Sequence, residues 1–167
     1  MKNVPDQHSP LLIGVISDTH GLLRPQATAA LQGCHLILHA GDVGRPEILD
    51  DLRLIAPLVA VRGNVDRGSW AAALAEKELV EAGGRYFYLL HQLDQLDIDP
   101  VAAGVAAVIS GHSHIPRMKK RGGILYFNPG SAGPKRWNLP VSVGLLKVVE
   151  GLVEGQIIEL QQIAEKR

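Results

Sequence analysis

The chain has 167 residues, of which 46% are hydrophobic and 20% charged, and its 17 basic residues balance its 17 acidic ones. This length suits a single globular domain, 1–167, and the absence of net charge gives no support for nucleic-acid binding, although a small anionic substrate remains compatible. The apolar run at 11–17 is too short to span a membrane, and the single cysteine, Cys34, excludes an intrachain disulfide and favours a cytoplasmic location.

Residues 1–10 are expected to form a flexible N-terminal extension, and the rest of the chain is expected to contain both strands and helices. Short apolar runs predict buried strands at 11–17, 35–40, 58–63, 86–91 and 105–110. Proline near the start favours helices over 24–33 and 45–55, the second with an apolar face of Ile48, Leu49, Leu52 and Ile55. Strands alternating with helices indicate an α/β fold. The last third is typical of consecutive strands with glycine turns, so the sheet is expected to be parallel early and antiparallel late.

Polar side chains follow each of the five predicted strands. Ligands of α/β sheets bind beyond the carboxyl ends of the strands, so these side chains are expected to converge at one edge. They supply two carboxylates, one amide oxygen and four imidazoles, from Asp18, His20, Asp42, Asn64, His91, His112 and His114. Each short motif alone is an ordinary turn sequence. Their occurrence in order, each at the end of a strand, favours metal ligation.

The spacing and number of these donors suggest two metal ions. Residues i and i+2 of an extended chain point the same way, so each D-x-H or H-x-H pair can act together. One catalytic metal usually takes about three protein ligands, so seven donors suit two metals that share a carboxylate. The donor types suit manganese, iron, nickel, cobalt or zinc. Three of the candidate ligands directly follow a glycine, at Gly41, Gly63 and Gly111. Each glycine is expected at a strand-to-loop bend that a Cβ would obstruct.

The motif series D-x-H, G-D, G-N, H and G-H-x-H resembles that of the calcineurin-like metallophosphoesterases, over residues 11 to about 150. The short length and the sequence NPGS at 128–131 are similar to the small prokaryotic phosphodiesterase branch of that family. The resemblance implies an α/β fold in which two mixed β-sheets pack as a sandwich flanked by helices (αββα). It also implies hydrolysis of a phosphodiester by a hydroxide that bridges two divalent metals, manganese first among the candidates.

The resemblance also implies a role for each donor. One metal would be held by Asp18, His20, Asp42 and His114, and the other by Asp42, Asn64, His91 and His112. Asp42 would then bridge the metals, and Asp42 and Asn64 would act in catalysis through them. The segment 128–131 is expected to shape the floor beneath the metals rather than to supply a ligand.

Two departures from the family pattern concern the substrate. Many members have a histidine, thought to protonate the leaving group, where this chain has Val65. The general acid is therefore unassigned, and activated aryl diesters should turn over better than alkyl ones. The second departure is Gln92, where the family usually has glycine after the histidine, so a bulkier loop is expected to narrow the substrate space.

Two further residues are expected to have supporting roles, and other functions are alternatives to the phosphodiesterase. His39 is expected to be a core histidine or a partner of a metal ligand, and Asp66 to be structural. The alternative functions are a phosphomonoesterase using the same site and a metal-free interaction scaffold, because a retromer subunit of the family uses the fold in that way. Chemistry through an aspartyl nucleophile would require a second aspartate at position 20, which is histidine. The expected partner is a small phosphoester substrate, and the branch commonly forms homo-oligomers.

Overall fold

A computed structural model describes residues 9–161, so residues 1–8 of the predicted extension lie outside the described residues. Within this range the chain forms two five-stranded sheets. The strands of the first sheet are β1 (Leu11–Ile16), β2 (Leu36–His39), β3 (Leu58–Ala60), β9 (Ser142–Val149) and β10 (Leu152–Glu159). Their order is β10-β9-β1-β2-β3, with β1, β2 and β3 parallel and β9 antiparallel to both β1 and β10.

The second sheet is also mixed. Its strands are β4 (Lys77–Ala82), β5 (Arg85–Leu90), β6 (Val105–Ile109), β7 (Arg117–Arg121) and β8 (Ile124–Asn128), in the order β4-β5-β6-β8-β7. The expectation of one sheet, parallel early and antiparallel late, is wrong. The β4–β5 hairpin is antiparallel in mid-chain, and β8 pairs in parallel with β6 afterwards. The two-sheet α/β architecture implied by the family resemblance is confirmed.

In the described part of the chain, four short helices accompany the sheets: α1 (Pro25–Leu31), α2 (Pro46–Arg53), α3 (Ser69–Ala72) and α4 (Pro100–Ala103). Proline occupies the first turn of α1 and α2, where its missing N–H is not needed. Ile48, Leu49 and Leu52 are buried as predicted, whereas Ile55 lies beyond the end of α2 and is half-buried. None of the helices within residues 9–161 has the length and apolar composition to cross a membrane.

The core lies in layers that fix the relative position of the strand ends. Side chains such as Ile13, Leu38, Phe87 and Phe127 fill the space between the sheets, and a second cluster packs α1 and α2 on the first sheet. A third cluster covers the outer face of the second sheet beside a single 3₁₀ turn, Leu93–Gln95. Because both sheets are anchored to one core, the loops at their strand ends are held close together.

Candidate metal centre

Six of the seven predicted ligands form two clusters, and the ligand atoms within each lie within 4.8 Å of one another. The first cluster consists of Asp18, His20 and His114, and the second of Asp42, His91 and His112. Four of the six residues are buried, His20 is half-buried and His112 is exposed. The first sheet supplies the loops that carry residues 18, 20 and 42, and the second sheet supplies those that carry residues 91, 112 and 114.

One carboxylate oxygen lies between the two clusters. Oδ2 of Asp42 is 3.6 Å from Nε2 of His20 and 3.2 Å from Nε2 of His91. The other oxygen, Oδ1, accepts a hydrogen bond from the backbone N–H of Val65 at 3.1 Å. Asp42 therefore presents a single atom to members of both clusters.

Five of the six clustered residues have left-handed backbone conformations. Their φ angles are 56° for Asp18, 47° for His20, 56° for Asp42, 70° for His112 and 62° for His114. Such conformations cost non-glycine residues about 1–3 kcal/mol each and gather at functional sites. The expectation of extended backbone at these pairs is therefore wrong, although Asp18 and His20 do enter the same cluster. The chain turns at each residue, and His112 and His114 enter different clusters although only one residue separates them.

Backbone N–H groups donate hydrogen bonds that join the loops within each sheet and also across the two sheets. The N–H of Asp18 donates to Gly41 at 3.0 Å, and that of Gly111 donates to the carbonyl of His91 at 3.0 Å. Across the sheets, the N–H of His112 donates to Oδ2 of Asp18 at 3.0 Å. These bonds fix where the histidines enter the site.

The predicted obstruction at the three glycines is confirmed by their surroundings. A Cβ at Gly63 would overlap Oδ1 and the backbone nitrogen of Asp42, and one at Gly111 would overlap Oγ of Ser17. At Gly41 it would lie 2.7 Å from Nδ1 of His91. Only glycine allows the three loops to approach the ligand side chains this closely.

Asp18 is fully buried and stays ionised because of its neighbours. Burial alone would raise its pKa, but the nearby imidazoles of His114 and His20 and the hydrogen bond from Ser17 outweigh that effect and hold the pKa well below its usual range. Oγ of Ser17 donates to Oδ2 at 2.6 Å, and Nε2 of His114 lies 3.2 Å from Oδ1. The carboxylate is thus held as an anion with Oδ1 directed at the imidazoles.

The Asp42–His91 pair shows the same mutual stabilisation. Burial opposes the charged form of each residue, but the pair outweighs it, so the pKa of Asp42 is lowered and that of His91 is raised. Nδ1 of His91 lies 2.7 Å from the carbonyl oxygen of Ala40, which can only accept, so Nδ1 carries a hydrogen. A neutral His91 therefore has its free lone pair on Nε2, facing Asp42.

The donor atoms fit divalent metal ions. Oδ1 of Asp18, Nε2 of His91 and Nδ1 of His114 are buried and lack a hydrogen-bond partner among the described residues. Buried polar atoms are rarely left without partners, and carboxylate and imidazole donors suit transition-metal ions. A hydrogen bond from the far N–H of an imidazole to a carbonyl oxygen, as at His91, is also the usual way in which a metal-binding histidine is oriented.

Asn64 lies in the turn that follows β3 and is exposed. The turn is fixed against Asp42 on both sides of Asn64, through the close packing of Gly63 and the N–H of Val65. The backbone at Asn64 is thereby held close to Asp42, a member of the second cluster.

The expectation that Asp66 is structural is confirmed by its contacts with these loops. Asp66 accepts hydrogen bonds from the backbone N–H groups of Val43, Gly44 and Gly63, at 3.2, 2.9 and 2.8 Å. It therefore ties the Asp42 loop to the Asn64 turn. The sequence offers only a weak signal for this role, an aspartate two positions after Asn64.

His39 and Asn128 support the site from below. His39 is fully buried, accepts a hydrogen bond from the N–H of Gly41 and contacts Oγ1 of Thr19, and burial lowers its pKa to about 4. Nδ2 of Asn128 donates to the carbonyl of Gly111 at 2.9 Å and to Oγ of Ser113 at 3.1 Å. Both residues are partners of ligand-bearing loops.

A cleft of about 540 Å³ opens beside the second cluster, on the outer face of the second sheet. Its inner end is formed by Gly111, His112 and Ser113. Leu93, Asp94 and Leu96, in the segment that follows Gln92, also line it. The bulkier loop expected after His91 thus forms part of the lining of a cleft next to the candidate ligands.

Comparison with known proteins places these features in one family. Residues 11–151 match the calcineurin-like phosphoesterase superfamily domain. A probable metallophosphoesterase of Methanothermobacter thermautotrophicus is 34% identical over 160 residues, covering 89% of this chain and 92% of the relative. Phosphodiesterase YfcE of Escherichia coli K12 is 29% identical over 160 residues, covering 78% and 84%. Wild-type Vps29 of Entamoeba histolytica complexed with Zn²⁺ superposes with a TM-score of 0.66, at 26% identity, over 89% of this chain and 99% of that one.

Proposed function

The chain belongs to the calcineurin-like phosphoesterase superfamily, and we propose that it is a hydrolase of phosphodiesters that uses two divalent metal ions. The observation that supports the proposal most strongly is the position of Asp42. Its Oδ2 atom lies 3.6 Å from Nε2 of His20 and 3.2 Å from Nε2 of His91. A single oxygen that faces two ligand clusters is suited to bridge two cations.

In this proposal the ligands divide between two sites. The first site is held by Asp18, His20, Asp42 and His114, and the second by Asp42, Asn64, His91 and His112. When bound, two metal ions activate water for attack on phosphorus, offset the charge of the phosphate and align the attacking and leaving oxygens. Manganese is the first candidate, and iron, nickel, cobalt and zinc suit the same donors.

The protein's own contribution is to hold charged ligands in place before substrate arrives. Asp18 is kept anionic by Ser17 and by the N–H of His112. His91 is oriented by the carbonyl of Ala40, so that Nε2 points toward Asp42. Electrostatic preorganisation of this kind avoids reorganisation during the reaction.

Protonation of the leaving group has no assigned residue. Val65, which is 48% exposed at the edge of the second cluster, cannot donate a proton from its side chain. We therefore propose that the favoured substrates are diesters whose leaving group departs without help. A cytoplasmic location is part of the proposal, in keeping with the free thiol of Cys34.

Two arms of one experiment test this function. The purified protein is stripped with EDTA, and Mn²⁺, Ni²⁺, Mg²⁺ or Zn²⁺ is restored before hydrolysis of bis(p-nitrophenyl) phosphate and p-nitrophenyl phosphate is measured. We expect metal-dependent turnover with the diester preferred. Preference for the monoester would assign the site to a phosphomonoesterase, and no turnover with any metal would contradict the hydrolase.

The scaffold alternative rests on the similarity to Vps29. Metal content alone does not separate a scaffold from an enzyme, because a Vps29 of Entamoeba histolytica is itself complexed with Zn²⁺. Turnover of the diester by the metal-loaded protein is therefore the deciding measurement.

A further inference from the structure

The cleft beside His112 has one basic wall. Arg117, Lys119 and Arg121 on β7 all line it, whereas the intervening Met118 and Lys120 do not. This alternation follows from the strand itself, whose successive side chains point to opposite faces. Within residues 9–161, no carboxylate forms a salt bridge with any of the three cleft-lining cations. We call them the β7 cations.

The β7 cations lead away from the candidate metal centre in order. Arg117 pairs across the hairpin with Asn128, whose side chain contacts Ser113 in the loop between His112 and His114. Lys119 pairs with Tyr126, and Arg121 lies at the far end, its guanidinium carbon 5.9 Å from the centre of the Tyr126 ring. A substrate bound at the metals can therefore extend along this wall.

The length of the row decides what kind of anion it fits. A strand rises about 3.3 Å per residue, so neighbouring β7 cations are about 7 Å apart and the row is about 13 Å long. A single phosphodiester group carries one negative charge, and in the proposed function that group is bound by the metals. The β7 cations are then available to bind another charge on the same molecule.

The other surfaces of the cleft are suited to a ring. Leu93, Leu96, Ile115 and Tyr126 contribute apolar surface, and Asp94 is the single carboxylate of the lining. Aromatic faces bind nucleobases by stacking, and about 540 Å³ is in the range of pockets for small ligands. The neutral total charge of the chain hides this local excess of two positive charges.

We propose that the cleft is a second binding site for the substrate of the proposed phosphodiesterase, and that it takes a nucleotide portion with a phosphate beyond the scissile one. Arg117 and Lys119 bind the additional phosphate by charge-assisted hydrogen bonds, and the base lies against Tyr126 and Leu96. The inference rests on the proposed function for cleavage of the scissile bond but not for binding, since the cleft is formed by protein atoms alone.

Binding to the metal-free protein tests the site directly. In EDTA at low salt, isothermal titration should show thymidine 3′,5′-bisphosphate binding about tenfold tighter than thymidine 5′-monophosphate. Lys119→Gln should remove most of this difference. The matched control is Lys120→Gln, which changes the neighbouring lysine of the same strand on the opposite face and should leave it intact.

Several outcomes would overturn the inference. Equal losses in the two lysine variants would mean general surface charge rather than a built site. Equal affinity for the two thymidine nucleotides would remove the role of the second phosphate. Inorganic pyrophosphate binding as tightly as the bisphosphate would remove the role of the ring. Both lysines are exposed, and thermal melts should show that neither variant disturbs the fold.

Hydrolysis separates this inference from the proposed function. The metal-loaded protein is compared on thymidine 5′-(p-nitrophenyl phosphate) with and without a 3′-phosphate, two esters with the same leaving group. We expect the 3′-phosphate to lower KM about tenfold with little change in kcat, because it adds binding away from the reacting bond. Hydrolysis of both esters at equal KM would overturn the inference alone, and hydrolysis of neither would overturn the proposed function.

Discussion

The Nε2 atom of His91 lies 3.2 Å from Oδ2 of Asp42, and a neutral imidazole has no hydrogen to place between them. Nδ1 of His91 already donates its hydrogen to the carbonyl of Ala40, at 2.7 Å. Two lone pairs at this separation repel unless a proton or a metal ion lies between them. The pair therefore binds a cation in both cases, either a proton or a metal ion. A metal ion must displace the proton to bind there.

Replacing Asp42 with asparagine should remove one metal ion and most of the activity. The amide keeps the shape of the side chain but loses the charge that faces both His20 and His91. The number of metal ions bound per chain should fall from two to one or none. The kcat/KM for bis(p-nitrophenyl) phosphate should fall at least about 100-fold, because losing a residue that only hydrogen-bonds to a metal ligand already costs up to about 100-fold. Asp50→Asn changes an exposed carboxylate on α2 and serves as the control. Unchanged activity in Asp42→Asn would refute the two-metal proposal.

Asp66 should matter through position rather than through chemistry. Asparagine there would set an amide hydrogen against one of three backbone N–H groups, those of Val43, Gly44 and Gly63. We expect the metal affinity to fall about 10- to 100-fold and the unfolding free energy to fall by about 1–3 kcal/mol.

Saturating metal separates the two effects of the Asp66 change. If Asp66 only positions the loops, excess metal restores much of kcat in Asp66→Asn. Asp51→Asn, an exposed change on α2, controls for loss of a charge. A metal affinity equal to that of the wild type would show that Asp66 does not hold the ligand loops.

Val65 offers a test of the missing leaving-group acid. The wild type should hydrolyse thymidine 5′-(p-nitrophenyl phosphate) much faster than thymidine 5′-(benzyl phosphate), whose alkoxide leaves poorly without a proton. Val65→His should raise the rate on the benzyl ester tenfold or more, which is part of the roughly 10²–10⁴-fold that well-placed general acid catalysis contributes. The p-nitrophenyl ester should gain little. Val65→Gln supplies a polar side chain without a suitable acid, and comparable wild-type rates on both esters would contradict the prediction.

The sequence sufficed to locate the strand ends and the ligand motifs. Buried strands such as β6 are continuous apolar runs, and the polar residues after them stand out by contrast. The edge strand β7 was missed because all five of its residues are exposed, and its sequence RMKKR contains no apolar period. β4 was missed for a similar reason, since its sequence KELVEA shows no regular alternation and only one of its apolar residues, Val80, is buried.

The local geometry of the ligands could not be predicted because it depends on contacts distant in sequence. The left-handed conformation of His112 is held by a hydrogen bond from its N–H to Asp18, 94 residues away. Asp66 finds its partners 22 and 23 residues earlier, at Gly44 and Val43. Neither relation leaves a periodic signal, whereas the family motifs point to the candidate ligands themselves without their conformation.

The buried His39 predicts a pH dependence of stability in the metal-free protein. Its pKa is about 4 in the folded state, against an ordinary value of 6.5, because burial disfavours the charged form. The unfolded chain therefore takes up a proton below pH about 6.5 that the folded chain does not. The stabilisation is complete above that pH and is lost as the pH falls toward 4, by up to about 3 kcal/mol.

Urea unfolding in EDTA at pH 7 and pH 4 measures this loss, and a variant isolates it. His39→Gln can keep the acceptor for Gly41 and the contact with Thr19 but does not titrate, so its stability should fall by about 3 kcal/mol less than that of the wild type over this range. His35→Gln, a change at an exposed histidine, should retain the wild-type loss. Parallel pH profiles for the wild type and His39→Gln would show that His39 does not remain neutral in the folded protein.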